Sequence, residues 1–134
     1  MSRLLALLLI VMLSGCVSTP VVQPPLLQLE GEVQLAGVLP RPAIVEVAVL
    51  SVIKGRLLQV AATEYEVSIL PLAFDVRLTP LQLAEGELYL RTRLRFSGSS
   101  GIQATHQQKV FKAFNNEKIV IKLQPKTCYP QCQQ

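Results

Sequence analysis

An all-β fold, a small β-sandwich of about seven mainly antiparallel strands, follows from three features of the chain. From residue 29 onward apolar and polar side chains alternate with a period of two. Turn signals recur about every eight to twelve residues, and an apolar stripe with the 3.6-residue period of a helix is hard to find.

Residues 1–15 are not part of that fold. Arg3 is their single charge, Leu4 to Leu13 is an unbroken apolar run of ten residues, and Ser14 and Gly15 bring small side chains up to Cys16. Ten apolar residues fit the core of an export signal and are too few to span a hydrocarbon layer of about 30 Å. Leu13-Ser14-Gly15-Cys16 resembles the bacterial lipobox, in which the cysteine thiol receives a diacylglycerol and the signal is cut before it. The new amino group is then acylated. The resemblance implies lipidation at Cys16, and several acyl chains hold a protein durably where one holds weakly. Val17 stands where the related sorting signals for inner-membrane retention carry Asp. The expected address is therefore the outer membrane, lipid-anchored and facing the periplasm.

Residues 16–28 carry Cys16 and then Pro20, Pro24 and Pro25, which oppose a helix and favour an extended tether. The domain is expected over 29–134. Leu29, Val33 and Leu35 alternate with Glu30, Glu32 and Gln34 as a first strand, and Gly37 with Leu39-Pro40-Arg41-Pro42 turns the chain. Residues 43–52 read as a central strand, with Val45, Val47 and Val49 on one face and Ile44, Glu46, Ala48 and Leu50 on the other. Lys54-Gly55-Arg56 is a turn. Residues 57–69 form one long or two short strands, with Tyr65, Val67 and Ile69 inward.

After Pro71, Phe74, Val76 and Leu78 alternate with Asp75, Arg77 and Thr79. Residues 81–86 allow one turn of helix, and a clear strand runs from Glu87 to Phe96. The last two strands, 102–112 and 117–123, are separated by Asn115-Asn116, a tight-turn signal, and Pro125 closes the fold.

Composition narrows the function classes. The net charge of +4 falls to +3 when Arg3 leaves with the signal, too mild to indicate nucleic acid. His106 is the only histidine and Asp75 the only aspartate, so no multi-histidine metal set and no Ser/His/Asp signature is available, and no glycine-rich phosphate loop occurs. No catalytic residue, metal ligand or dissociable cofactor is assigned, and the chain is not expected to be an enzyme.

Two constellations remain. Cys128 and Cys132 are the possible pair once Cys16 carries lipid, and an oxidising compartment favours a structural disulfide between them. Free or reactive thiols are the alternative, at a spacing one residue longer than Cys-x-x-Cys. Arg91, Arg93 and Arg95, with Tyr89, share one face of a strand whose other face is Leu88, Leu90, Thr92, Leu94 and Phe96. Either glutamates of a neighbouring strand balance these arginines, or they dock an acidic partner segment or lipid phosphates.

The lipobox, Gly37-Val38-Leu39-Pro40 before the valine-rich strand, Pro71-Leu72-Ala73-Phe74-Asp75-Val76, and Gly86-Glu87-Leu88-Tyr89-Leu90-Arg91-Thr92-Arg93 together resemble the YscW/ExsB-type family. Its members are outer-membrane lipoproteins, the pilotins of type III secretion systems, related to YbaY-like envelope lipoproteins. The resemblance implies a chaperone without chemistry of its own. It would bind a secretin subunit of a type III secretion system, usually by that subunit's C-terminal segment. Lipoprotein sorting machinery would then carry the pair to the outer membrane for ring assembly. A general envelope lipoprotein that binds a small ligand, a glycan or another envelope protein is the alternative.

Overall fold

The computed structural model describes Gly15 and residues 27–79, 87–110 and 118–133. Cys16, the proline tether up to residue 26, the helical turn expected over 81–86 and the Asn115-Asn116 turn lie outside the described residues. Eight strands are present: β1 (Leu27–Gln34), β2 (Ala43–Ile53), β3 (Arg56–Val67), β4 (Leu72–Leu78), β5 (Leu88–Phe96), β6 (Ile102–Val110), β7 (Ile119–Lys122) and β8 (Gln124–Pro125). They form two sheets, ordered β4-β1-β7 and β3-β2-β5-β6-β8. All pairings are antiparallel except that of β1 with β7. The expected all-β sandwich is the observed architecture.

The period-two pattern sets which side chains meet between the sheets. Val45, Val47 and Val49 of β2 and Leu88, Leu90, Leu94 and Phe96 of β5 pack against Val33 of β1, Phe74, Val76 and Leu78 of β4 and Ile121 of β7. Each of these side chains is almost wholly buried. β5 alternates most cleanly, every second residue from Leu88 to Phe96 being buried, because it is bonded by strands on both sides. At Gly31 the inner face needs a missing side chain. A Cβ there would overlap the Ile119 carbonyl oxygen and lie 2.7 Å from the Phe74 ring. Glycine lets β7 approach β1 while the aromatic ring covers the gap.

Four sequence expectations are corrected. The first strand starts at Leu27 rather than 29, since Gln28 pairs with Arg77 and its amide donates to Asp75 at 3.0 Å. Ile69 lies beyond β3 and is 76% exposed, because the chain leaves the strand at Val67 to cross to the other sheet. The strands on either side of Asn115-Asn116 do not pair as a hairpin. β7 instead joins β1 in parallel, where Leu123 N–H also reaches the Gln34 carbonyl at 2.8 Å. Pro125 does not close the fold, for the tail runs on to a buried Cys132.

Strand directions and connections define two ends. Val67 leads through four residues to Leu72, and the Tyr65 hydroxyl bridges the sheets by accepting from Asp75 N–H at 3.1 Å and donating to Asp75 C=O at 3.2 Å. Ala43 pairs with both Val67 and Phe96 at this end. The opposite end holds Leu27 opposite Leu78, the start of β5 at Leu88, and the β2–β3 turn. That turn is Lys54-Gly55 with φ of 52° and 76°, two successive left-handed residues that match the twist of a tight hairpin.

Candidate functional site

Arg91, Arg93 and Arg95 stand side by side on the outer face of β5, as their spacing dictates, with Tyr89 continuing the row. Register brings Glu46 of β2 opposite Arg93, Ala48 opposite Arg91 and Ile44 opposite Arg95. Arg93 donates through Nε and Nη2 to Glu46 Oε1 at 3.2 and 2.8 Å. Arg91 Nη2 lies 3.8 Å from the same oxygen and 3.4 Å from Gln59 Oε1. Arg95 reaches Glu64 of β3 at 3.9 Å and the Ser99 carbonyl at 3.4 Å.

The outcome is a ladder of alternating charge across three strands rather than a bare cationic stripe. Three guanidiniums share two carboxylates, and Arg91 Nε is buried without a hydrogen-bond partner. A shallow groove of about 220 Å³ runs along this face, lined by Ile44, Glu46, Arg93, Arg95, Ser100 and Ile102. It offers two isoleucines beside two arginines, a combination suited to a chain segment with apolar and acidic side chains.

A second charge cluster continues the face toward the hairpin end. Glu87 accepts from Lys109 Nζ at 2.9 Å and from the Tyr89 hydroxyl at 2.9 Å. The hydrogen bond from Lys109, the one from Tyr89 and the Lys109 charge, in that order, hold the Glu87 carboxyl below its usual range. The same contacts raise Lys109 and Tyr89, in each case first through the hydrogen bond to Glu87. The Lys109 and Glu87 side chains are about half exposed, and the trio lies on the surface of the sheet.

At the far end of the sandwich Cys128 and Cys132 are joined, with Cα atoms 4.8 Å apart. The tail they close is held by a glutamine of β6 that carries no distinguishing mark in the sequence. Gln103 is wholly buried, its Nε2 donating to the Cys132 carbonyl at 2.9 Å and its Oε1 accepting from Cys132 N–H at 3.2 Å. His106 is half-buried on the inner face of β6, opposite Thr92. Among the described residues no group of three or more His, Cys, Asp or Glu side chains is arranged to hold a metal. Cys16 lies outside them.

Sequence reasoning placed Glu46 on the correct face of its strand without connecting it to the arginines. The link is the β2–β5 pairing, which joins strands separated by β3 and β4 and leaves no local trace.

Comparison with known proteins bears on what such a surface serves. Residues 24–123 match the family model described as "Type III secretion system lipoprotein chaperone (YscW)". A Type 3 secretion system pilotin of Yersinia enterocolitica is 40% identical over 133 residues, covering 99% of this chain and 96% of that protein. A Type 3 secretion system pilotin of Pseudomonas aeruginosa is 35% identical over 127 residues, covering 92% and 88% respectively.

Proposed function

This chain belongs to the YscW family of type III secretion system lipoprotein chaperones, and from that premise we propose that it is a pilotin for a secretin subunit. The observation that carries the reading is the match to two pilotins over nearly the whole chain. In this reading Cys16 bears a diacylglycerol and an N-acyl chain, and lipoprotein sorting takes the protein to the inner leaflet of the outer membrane. The β-domain holds the C-terminal segment of the secretin subunit during that journey. An unassembled secretin exposes strand edges that aggregate, and capture at a tethered domain both masks it and concentrates it at the right leaflet.

The face formed by β2, β5 and β6 is the proposed docking surface. Its groove supplies apolar contact through Ile44 and Ile102 and charge selection through the arginine row. The test compares the wild type with Cys16→Ser in cells that produce the secretion system. The variant is expected to keep secretin binding in pull-downs from solubilised envelopes and to leave the secretin outside the outer-membrane fraction. Undiminished outer-membrane secretin multimers after deletion of the gene would overturn the proposal.

A further inference from the structure

The β2–β3 hairpin tip carries features that neither the core nor the docking face uses. Ile53, Leu57 and Leu58 are 37, 47 and 46% exposed, an unusual concentration of bare apolar surface around one tight turn. They do not share a face. Leu58 pairs with Ser51 on the inner side of the sheet, whereas Leu57 pairs with Val52 on the outer side. β5 pairs with β2 as far as Ser51, and Val52 N–H still reaches the Glu87 carbonyl at 3.0 Å, so among the described residues the tip beyond Val52 is bonded only within its own hairpin.

The two basic residues at the turn, Lys54 and Arg56, are exposed and also without an ion pair among the described residues, whereas all three arginines of β5 are paired. Each sits within two residues of an exposed apolar side chain. A tip that is apolar on both faces and flanked by cations fits poorly against one flat face of a protein. It fits a medium that surrounds it, with an apolar interior and an anionic rim.

The location agrees. Leu27, where the chain arrives from Cys16, lies at the same end of the sandwich as this turn. Ten residues separate Cys16 from Leu27, a reach of about 36–40 Å when extended, too long for an acyl anchor alone to orient the body.

We propose that the hairpin tip is a second, non-covalent membrane contact. Leu57, Leu58 and Ile53 enter the interfacial layer of the leaflet, and Lys54 and Arg56 lie against anionic phospholipid headgroups. The inference rests on the acyl anchor at Cys16 to bring the tip to the surface. It sets the orientation of the domain, with the hairpin end on the membrane and the Cys128–Cys132 end directed away.

The chain has no tryptophan, so Leu57→Trp and Leu58→Trp each create a single fluorescent reporter, one on either face of the tip. Val38→Trp is the control, 90% exposed in the β1–β2 connection at the opposite end. The acylated full-length product is placed in vesicles of phosphatidylethanolamine and phosphatidylglycerol containing brominated acyl chains. Both leucine variants are expected to show blue-shifted, strongly quenched emission, and the Val38 variant neither. Lys54→Gln with Arg56→Gln should lower the insertion equilibrium about 25-fold, fivefold for each cation. Quenching at the tip no greater than at Val38 would overturn the proposal. So would shielding of the tip reporters by secretin subunit in the absence of lipid, which would assign the tip to the protein partner. Intact mass reports the acyl chains separately. A chain lacking them refutes the anchor, and the quenching, read on added vesicles, still decides the hairpin.

Discussion

Arg93 sets two of its N–H donors on one oxygen of Glu46, at 3.2 and 2.8 Å, across the central strand pair of the larger sheet. Glu46 is thereby the hub of the β5 face, since Arg91 approaches the same oxygen. Removing its charge leaves adjacent guanidiniums to repel across β5. The side chains are about a quarter to a third exposed, which screens the pair and keeps its worth well below that of a buried one. Glu46→Gln is expected to cost about 1–2 kcal/mol in urea unfolding. The loss should shrink in high salt. An unchanged midpoint at low salt would mean that the ladder is not structural.

The Glu87 cluster predicts a pH dependence at both margins. The folded-state value of Glu87 is lowered, so its stabilising contribution is complete above the ordinary carboxylate range and is lost as pH falls through the folded value. Lys109 and Tyr89 are raised, so theirs are present at neutral pH and lost as pH rises through their folded values. Carboxyl-carbon NMR should show Glu87 titrating below the ordinary glutamate value. Lys109→Met should move it upward, because the first and third causes of the shift vanish together.

Gly31 is predicted to tolerate no side chain. The Phe74 ring could swing aside, but the Ile119 carbonyl belongs to the parallel β1–β7 pairing and has no such freedom. Gly31→Ala should therefore cost about 3 kcal/mol or more, and Phe74→Leu in the same chain should not restore it. Thermal unfolding of the single and double variants checks both statements.

These residues also show where sequence reasoning stops. The alternation in β5 marks an inner and an outer face because both faces lie in a sheet bonded on each side. β7 has the same apolar alternation whichever sheet it joins, so its departure from β6 to pair with β1 has no local signature. Gln103 is the sharper case. Its strand neighbours argue for a solvated amide, yet the tail at Cys132, almost thirty residues later, covers it and matches both its donor and its acceptor. Ile69 fails for the opposite reason. Its period-two position is right, but the strand has already ended as the chain crosses between sheets.

The tail should behave as two separable restraints. Closing a loop as short as that from Cys128 to Cys132 contributes about 2 kcal/mol by chain entropy. Gln103 acts on the folded side, through two hydrogen bonds that its removal would leave as buried unpaired backbone groups. Gln103→Leu is expected to abolish amide-exchange protection at Cys132 even with the disulfide intact. Cys128→Ser with Cys132→Ser should lower global stability while leaving measurable protection there. Equal loss in both variants would show a single cooperative clamp.

The β5 face gives the prediction that separates folding from docking. If an acidic segment of the secretin binds along the groove, Glu46 competes with it for Arg93, as both seek the same pair of donors. Glu46→Gln then has opposite effects on the two processes: a less stable domain with tighter capture of the segment. Freeing one partly exposed guanidinium for a charge-assisted pair is worth about 1 kcal/mol, a severalfold lower Kd at low ionic strength. Arg95→Gln removes a selecting charge and leaves the half-exposed Glu64 carboxylate without it, so it should weaken capture by a similar factor with little effect on unfolding. Calorimetric titration with the secretin C-terminal segment, paired with urea unfolding of the same variants, measures both. Weakened capture in Glu46→Gln at unchanged folding would place the acidic partner group elsewhere and make Glu46 itself a contact.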